Sequence, residues 1–453
     1  MQKQTKFMAV LSAAAMMAAA APMITGFHGV HTALAAGNGW VEEDGTWRFY
    51  DEDGYLESNT WKKRDSDWYY LDEDGEIAVN QRIDEYYVND QGRMVKNQWV
   101  SADDEQTWDS PDSPDAGNWL YFGKDGKIVT SRWMAINGKT YYFDEDGIMM
   151  TGLLELDGHT YYLGGEHDGA RKTGWILLET MTQDTDDEDI WCYFDSDGRM
   201  VVNQMDRKID GAYYTFLDGQ MQTGWVNIKE AGFLPEGEAA TSSDAIATSI
   251  EHYRYYDEES GRRVSGWLTT TGAPGISEDD EEYSFYFKNG EAFHADQGLE
   301  LFTINSQRYC FNEKGEMQTG LQTMPQKDQS EAVYYFGDDG VMKTGKQTIY
   351  NEDLEENQTW YFHAKGSQKG QGYHGERDGQ VYVNGLLKKA DPELRYEPVS
   401  VGERQYLVNT SGSIQKAGAS STSASRPELG KGFKDIKDTN DTVWTVDSSG
   451  IIQ

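Results

Sequence analysis

The sequence predicts an all-β protein, a solenoid of stacked short β-hairpins with polar loop insertions of variable length. The main observation is a short unit that recurs along nearly the whole chain, which residues 133–152 show as W-MAINGKT-YYF-DEDG-IMMTG. A short aromatic strand, an acidic glycine turn and a second short apolar strand are the signature of a β-hairpin. A single hairpin cannot bury its aromatic face alone, so we expect neighbouring hairpins to stack.

The spacing of the turn glycines predicts the number of units. We expect 16 hairpins, and the closest of their turns are 17 to 22 residues apart. Wider spacings contain polar insertions between a Trp and the next aromatic strand, so each insertion lengthens one loop and leaves the hairpin intact. The predicted turn glycines are Gly54, Gly75, Gly92, Gly126, Gly147, Gly169, Gly198, Gly219, Gly261, Gly290, Gly315, Gly340, Gly366, Gly385, Gly412 and Gly450.

Composition excludes several classes of protein. The chain has 453 residues, with 78 Asp and Glu against 40 Lys and Arg, and a formal net charge of -38. This acidity argues against a nucleic-acid partner, because neutralising phosphates requires clustered Lys and Arg. Two Cys exclude a disulfide framework. An aromatic content of 13% is too high for a disordered acidic tail.

Residues 1–35 read as a signal peptide. Lys3 and Lys6 form a positive start, an apolar run covers 7–24, and an A-x-A cleavage pattern ends at Ala35. No second apolar run approaches the roughly 20 residues that a membrane-spanning helix needs. We therefore expect a secreted protein that has no membrane span. Any attachment of this protein to the cell surface is expected to be non-covalent.

The repeats begin directly after this segment and leave no stretch long enough for an independent catalytic domain. We expect binding clefts in the Trp-rich N-terminal array, where most Trp residues lie. The predicted divisions are an N-terminal hairpin array at 36–227, an insertion at 228–252, a degenerate array at 253–416, a linker at 417–430 and a terminal repeat at 431–453.

The Trp residues follow the repeat. Seven open a unit, and four more start an aromatic strand, so four units hold both Trp. Two Trp of one unit and a Tyr of the next could form a box that binds a quaternary ammonium through cation–π attraction, and an exposed ring could instead stack on a sugar. The plainer interpretation is that these rings only pack the hairpins together. The opening residues are Trp40, Trp61, Trp99, Trp133, Trp175, Trp225 and Trp267; the strand residues are Trp47, Trp68, Trp119 and Trp191.

The motif resembles the cell-wall-binding repeats of Gram-positive surface proteins, a group that includes choline-binding modules, glucan-binding repeats and clostridial toxin repeats. The best matches are KTGW at 172–175, QTGW at 222–225, VSGW at 264–267 and YYFDEDGIMMTG at 141–152. The resemblance covers nearly all of the chain after the signal segment. It is specific for the family and says little about the ligand.

The resemblance also implies site residues, because choline-binding members build each site from two Trp of one repeat and a Tyr of the next. Beyond Trp267 no unit keeps the Trp pair, so binding is expected in the N-terminal half. The four implied sets are Trp40, Trp47 and Tyr70; Trp61, Trp68 and Tyr87; Trp99, Trp119 and Tyr142; and Trp175, Trp191 and Tyr214.

The sequence predicts no metal site, no cofactor and no catalytic residue. The Asp-Glu-Asp-Gly turns only superficially resemble a calcium loop, because turn chemistry alone favours Asp and Gly there. Neither H-E-x-x-H nor G-x-S-x-G occurs. Cys192 and Cys310 replace strand aromatics four hairpins apart, which predicts buried free thiols.

Three functions remain open at this stage. The first is a non-catalytic wall-binding protein that docks on choline or another group of a wall polymer, such as a choline-bearing teichoic acid or polysaccharide. The second is a protein that binds extracellular glucan or a host glycan. The third is an adhesive spacer whose partner is a protein. The negative charge favours a cationic ligand group, whereas a wall rich in phosphate would repel this surface.

Overall fold

The computed structural model describes residues 38–103, 107–108, 118–165, 168–179, 189–233, 249–277, 281–326 and 330–453. The predicted signal segment and most of the polar insertions lie outside these residues. The described residues form β-strands and two short 3-10 turns, at Ile250–His252 and Pro427–Leu429, with no α-helix. Within this part of the chain there is no helix that is long and apolar enough to cross a membrane.

The strands are short and follow one another along the chain. The first thirteen are β1 (Gly39–Glu43), β2 (Thr46–Tyr50), β3 (Thr60–Arg64), β4 (Asp67–Leu71), β5 (Gln81–Ile83), β6 (Tyr86–Val88), β7 (Gln98–Ser101), β8 (Thr107–Trp108), β9 (Trp119–Phe122), β10 (Arg132–Ile136), β11 (Lys139–Phe143), β12 (Leu153–Leu156) and β13 (His159–Tyr162).

The others are β14 (Gly174–Glu179), β15 (Asp189–Phe194), β16 (Gln204–Ile209), β17 (Ala212–Leu217), β18 (Gln220–Met221), β19 (Gly224–Asn227), β20 (Tyr253–Tyr256), β21 (Gly266–Thr271), β22 (Glu282–Lys288), β23 (Glu291–Ala292), β24 (Leu299–Ile304), β25 (Gln307–Asn312), β26 (Gly320–Pro325), β27 (Glu331–Phe336), β28 (Gly345–Asn351), β29 (Glu356–Phe362), β30 (Gly375–Arg377), β31 (Gln380–Val383), β32 (Leu386–Leu387), β33 (Tyr396–Val401), β34 (Arg404–Asn409), β35 (Lys434–Lys437) and β36 (Val443–Val446).

The all-β prediction of stacked short hairpins is confirmed. The long strands, however, pair before the acidic turn, whereas the sequence predicts that they pair across it. In the hairpin β10–β11, Trp133 stands opposite Tyr142. The tip of this hairpin is Asn137–Gly138, with φ of 48° and 83°, the left-handed pair of a type I′ turn. The acidic turn follows β11 and leads only to a single bridge between Phe143 and Met149.

Several acidic turns are closed by the side chain of their first residue. The Oδ1 of Asp144 accepts hydrogen bonds from the backbone N–H of Asp146 at 3.0 Å and of Ile148 at 2.7 Å. Such Asx turns explain why Asp recurs at this position. All of the predicted turn glycines have positive φ, so each turn needs a residue that tolerates the left-handed region.

The glycine of the TGW motif has the same explanation. Gly174, Gly224 and Gly266 precede an opening Trp with φ of 85°, 63° and 98°. In units without this glycine the positive φ falls one residue earlier and on Asn, as at Asn80 and at Asn97, which lies two residues before Trp99, with φ of 46° and 51°. Asn tolerates the left-handed region better than most residues, so either residue can make the bend that leads into the strand.

Neighbouring hairpins are joined by a backbone hydrogen bond and by packing on the turn glycine. The N–H of Met317 donates to the carbonyl of Ser284 in the preceding hairpin at 2.9 Å. A Cβ atom on Gly340, in the following turn, would lie 2.2 Å from the sulfur of Met317. The residue that follows a turn, often Met, therefore packs where the next turn has no side chain.

The chain divides into two compact units, one of residues up to 154 with 162–171 and one of 155–161 with 172–453. The core of the first unit contains Trp99, Tyr141 and Phe143. The second unit has several smaller apolar clusters, as expected for a repeat protein without one central core.

The divisions expected from the sequence, near 228 and at 417–430, stay predictions. Within the predicted linker, Thr422 forms a bridge with Lys431. The hydroxyl of Ser423 also donates to Asp435 of the last hairpin.

Candidate functional site

The aromatic clefts are positioned by strand register. In the hairpin β14–β15, Trp175 stands opposite Tyr193, and Trp191 stands opposite Leu177. Because side chains alternate along a strand, these four residues share one face of the hairpin. The two Trp are therefore diagonal neighbours on the same surface.

The fourth predicted set is brought together on this face. The ring centroid of Trp175 lies 6.5 Å from that of Trp191 and 4.8 Å from that of Tyr214, both in edge-to-face orientation. Phe216 closes the base at 5.8 Å. Trp191 is 42% exposed, whereas Tyr214 is buried. A ligand could therefore reach the outer face of Trp191 while the other rings form the walls.

These rings border a cavity of about 330 Å³, which we call the Trp175 cleft. Met221 adds an apolar wall, and the turn of the next hairpin adds polar groups. The residues that line it are Trp175, Trp191, Tyr214, Met221, Glu259, Ser260 and Arg262.

The polar side of the cleft is fixed by hydrogen bonds. The Nε of Arg262 donates to the hydroxyl of Tyr214 at 3.3 Å. The backbone N–H and the hydroxyl of Ser260 both donate to Asp257, at 2.8 and 2.6 Å. These bonds lower the pKa of the Asp257 carboxyl. The cleft thus offers aromatic faces, one carboxylate from Glu259 and one guanidinium.

In the first predicted set, the structure places a different Tyr against the Trp. Trp40 contacts Tyr69, with centroids 5.8 Å apart, and its Nε1 donates to the carbonyl of Lys63 at 3.0 Å. Tyr70 instead contacts Trp61 of its own hairpin, at 5.3 Å. The sequence-based choice of Tyr70 thus differs by one residue from the Tyr that Trp40 touches.

The next two sets show the same one-residue difference. Trp61 contacts Tyr86 at 5.4 Å, and Trp99 contacts Tyr141 at 5.1 Å. Tyr87 and Tyr142, the residues implied by the resemblance, pack instead on Phe122 and Trp133. A shift of one residue along a strand moves a side chain to the other face, so adjacent Tyr have different neighbours.

The second Trp of each set differs in exposure. Trp68 is 37% exposed and stands opposite Lys63. Trp119 is buried in the same cluster as Trp99. The ligand role of all twelve implied residues stays a prediction. In the set of Trp175, Trp191 and Tyr214, all three rings lie together around one cavity.

Some aromatic faces carry cations of the chain itself. The guanidinium of Arg64 lies 3.4 Å from the ring centroid of Trp47, and the ammonium of Lys62 lies 4.6 Å from that of Phe49. Arg171 lies over Trp133 at 5.6 Å. Such a cation occupies the position that a ligand ammonium would need. Among the described residues, no Lys or Arg stacks in this way on the rings of the Trp175 cleft.

Sequence reasoning missed that the pattern continues in units with one Trp. Trp225 contacts Tyr253 at 6.1 Å and Phe285 at 5.2 Å. Tyr253 stands opposite Asn227, two residues after Trp225, which is the position of the second Trp in the hairpin β14–β15. Counting back two residues from the cross-strand partner Tyr255 would have found this replacement.

Trp267 is a further member. It contacts Tyr309 at 4.7 Å and stacks on Phe311 at 6.0 Å, and its own side chain is 41% exposed. No second Trp is present in this unit, and Ser284 occupies the equivalent position opposite Thr269. Contacts between an opening Trp and the aromatic residues of the next hairpin therefore continue further along the chain than the Trp pairs do.

The described residues contain no group of three His, Cys, Asp or Glu side chains that could hold a metal ion. Asp51 and Asp72, the first acids of two Asp-Glu-Asp-Gly turns, accept backbone hydrogen bonds as Asp144 does. The prediction of buried free thiols is confirmed for Cys192 and Cys310. Burial raises the pKa of these thiols to about 11 and about 12, which makes them poor nucleophiles.

Family comparisons agree with the geometry. Residues 129–175 match a choline-binding repeat. Residues 59–77 and 326–342 match a putative cell wall binding repeat. The first match contains Trp133 and ends at Trp175.

Among characterised proteins, the chain is similar to glucosyltransferase-S of Streptococcus mutans, with 27% identity over 241 residues, which are 52% of this chain and 14% of that protein. It is also similar to glucosyltransferase-I of Streptococcus downei, with 23% identity over 322 residues, 68% of this chain and 18% of the relative. The chain therefore spans less than a fifth of the length of these two relatives.

Solved structures of similar proteins include the autolysin LytC of Streptococcus pneumoniae, with 20% identity, a TM-score of 0.38 and coverage of 62% of this chain and 52% of that one. The choline-binding domain of CbpL from the same species has 26% identity and a TM-score of 0.24, with coverage of 41% and 97%. The repeat matches confirm the resemblance seen in the sequence: residues 59–77, 129–175 and 326–342 match cell-wall-binding repeats, of the group that includes the choline-binding repeats.

Proposed function

We propose that this protein is a secreted, non-catalytic binding protein that docks on a polymer of the bacterial surface through the Trp175 cleft. The observation that carries the proposal is the assembly of Trp175, Trp191 and Tyr214 around one cavity. Ring faces from two hairpins can enclose a ligand group that a single hairpin could only touch. The choline-binding repeat match, which ends at Trp175, supports the same site.

Choline on a wall polymer is the first candidate ligand. A quaternary ammonium among aromatic rings gains about 2 kcal/mol or more once water is excluded. The carboxylate of Glu259 adds a negative charge at the border of the cleft. A choline-bearing teichoic acid or polysaccharide would present many such groups, so several weak clefts could bind one polymer together.

A glucose polymer is the second candidate. The curated relatives are glucosyltransferases, which favours a glucosyl ligand. The guanidinium of Arg262 also lines the cleft, and its positive charge opposes an ammonium ligand while it can donate hydrogen bonds to sugar hydroxyls. The exposed ring of Trp191 offers a flat face for a sugar.

The remaining parts of the proposal concern location and the absence of catalysis. The positive, then apolar segment at 1–35 supports export, with cleavage near Ala35. Non-covalent attachment to the wall would then depend on the repeats. An adhesive spacer with a protein partner is the third candidate, and it predicts that the clefts contribute nothing to attachment.

Competitive elution distinguishes these candidates. The protein is bound to purified Gram-positive cell wall and to dextran resin, and is then eluted with free choline or with isomalto-oligosaccharides. Trp191→Ala should weaken retention on whichever support binds the wild type. Leu321→Ala is the matched control, because Leu321 is 38% exposed and opens a unit that has no Trp. Equal retention of Trp191→Ala and wild type on every support would exclude the Trp175 cleft as the docking site.

A further inference from the structure

A second cavity, of about 490 Å³, lies in the half of the chain where the Trp pairs are missing. Arg254, Lys288, His252 and His294 contribute to its lining. We propose that this cavity binds an anionic saccharide unit, one that carries a phosphate or a carboxylate. The proposal extends the proposed function to a second site, and it does not depend on what the Trp175 cleft binds.

Arg254 is held rigidly in the lining. Its Nη1 donates to the carbonyls of Glu251 and Tyr253, both at 2.8 Å. Its Nη2 donates to Glu291 at 2.7 Å. The Arg254 side chain is 12% exposed, so its position is set before any ligand arrives. A preorganised guanidinium loses little conformational entropy on binding an anion.

Lys288 supplies a free charge. Its side chain is exposed, and within the described part of the chain its ammonium makes no ion pair or hydrogen bond. Charge-assisted hydrogen bonds to phosphate or carboxylate are about twice as strong as neutral ones. Lys288 is therefore the group that gains most from an anionic ligand.

Two imidazoles add polar ring nitrogens to the same cavity. The Nδ1 of His294 lies 3.0 Å from the carbonyl of Ala292. A carbonyl only accepts, so Nδ1 carries the proton, and Nε2 of the neutral ring is an acceptor that can take a hydrogen bond from a sugar hydroxyl. His252 lies near Glu251, with Nε2 and Oε1 3.6 Å apart.

One wall of the cavity is aromatic. Phe293 and Phe302 stack with their centroids 4.9 Å apart and their planes at 26°, and both line the cavity. An apolar face beside cationic donors fits a sugar ring that carries a charged substituent better than a bare inorganic anion.

The charge of this cavity differs from that of the whole chain. Arg254 and Lys288 balance Glu251 and Glu291. The whole chain has nearly two acids for every base. Exposed charges are largely screened beyond about 8 Å at physiological ionic strength. The acidic surface elsewhere therefore does not prevent an anion from binding here, and a phosphate-bearing wall polymer would find a local site.

The test uses the full chain and three probes, glucose 6-phosphate, glucuronate and glucose, titrated by calorimetry or ligand-observed NMR. We expect saturable binding of at least one charged sugar, which persists in Trp191→Ala, and no binding of glucose in that variant, in which the Trp175 cleft is impaired. Lys288→Gln should weaken that binding about tenfold, the order expected for one charge-assisted contact. Lys346→Gln is the matched control, since Lys346 is an exposed lysine that does not line the cavity.

Binding of one charged sugar alone supports the proposal and identifies phosphate or carboxylate as the recognised group. The proposal is wrong if neither charged sugar binds, if glucose binds Trp191→Ala as well as the charged sugars do, or if Lys288→Gln binds like the wild type. Trp191→Ala should leave this binding unchanged, whereas it should weaken docking on the surface polymer. The failure of one site is therefore distinguishable from the failure of the other.

Discussion

Met221 packs against Gly261: a Cβ atom on Gly261 would lie 2.3 Å from the sulfur of Met221. Gly261 closes the acidic turn of one hairpin, and Met221 follows the turn of the hairpin before it. The same Met lines the Trp175 cleft. Stacking of the hairpins and the shape of the cleft thus depend on one contact.

This contact predicts that Gly261→Ala destabilises the protein and changes the cleft. The φ of Gly261 is 66°, which costs a non-glycine residue about 1–2 kcal/mol. Displacing Met221 adds an overpacking cost of about 1–3 kcal/mol. The midpoint of chemical denaturation and binding to the surface polymer should both fall.

Gly224→Ala separates the two costs. Gly224 has a φ of 63°, and a Cβ there would have no neighbour within 4 Å. Gly224→Ala should lose only the unfolding free energy that the left-handed backbone costs. It should still bind the surface polymer as the wild type does. If both variants lose the same stability, the contact with Met221 contributes nothing.

Two Trp substitutions should separate packing from binding. Trp99 is 2% exposed and touches Tyr121, Tyr141 and Phe143, so Trp99→Ala should cost about 3–5 kcal/mol of unfolding free energy. The exposed Trp191 should cost much less on truncation. Denaturation curves of Trp99→Ala and Trp191→Ala, measured beside retention on cell wall, check this. The account is contradicted if Trp191→Ala is as destabilising as Trp99→Ala.

The first repeat should gain a binding site when Arg64, a residue of the second hairpin, is replaced. Arg64 covers the ring of Trp47, so Arg64→Ala should free that face for a ligand ammonium. We expect a higher stoichiometry of choline binding by calorimetry. Lys63→Ala removes the same charge from the neighbouring position and should leave the stoichiometry unchanged. An unaltered stoichiometry in Arg64→Ala would mean that Arg64 does not block a site.

The last hairpin should loosen at low pH. Hydrogen bonds from the Ser423, Ser425 and Thr445 side chains lower the pKa of Asp435 below its ordinary value. A depressed carboxyl pKa means that the folded form favours the charged state. This contribution is complete above the ordinary Asp value of about 4 and declines as the pH falls below it.

Hydrogen exchange at 417–453 measures this effect. Protection of this segment should decrease in the wild type as the pH falls below the ordinary Asp range, beyond the intrinsic pH dependence of exchange. Asp435→Asn should show lower protection at neutral pH and little further change on acidification. A variant that keeps the wild-type pH dependence would show that another group is responsible.

Much of the fold was predictable because turn chemistry is local. The acidic glycine turns need positive φ, which the sequence shows directly, and all of the predicted turn glycines have it. The position of the long strand pair was less visible, because tips such as Asn137–Gly138 lie in segments of variable composition. Both turn types contain glycine, and the acidic turn is the more regular of the two, so the sequence predicts it as the hairpin tip.

The candidate site was predictable only in part, because the types of the residues do not determine the strand register. Tyr69 and Tyr70 are identical side chains on opposite faces, and the burial of Leu71 decides which of them meets Trp40. At Tyr214 the choice agreed with the packing, since Tyr214 precedes the buried Phe216 by two residues. The Arg64 guanidinium over Trp47 could not be inferred from spacing, because it depends on the stacking of two hairpins.

If the Trp175 cleft takes the ligand, the indole N–H signals of Trp175 and Trp191 must respond to it. In ¹⁵N-labelled protein, choline and then isomalto-oligosaccharide are titrated while these two signals are assigned by Trp191→Phe and Trp175→Phe. The account predicts saturable shifts of both signals with one of the two ligands and a smaller effect at the buried Trp99. Unchanged signals of Trp175 and Trp191 under conditions where the protein binds its polymer would contradict it.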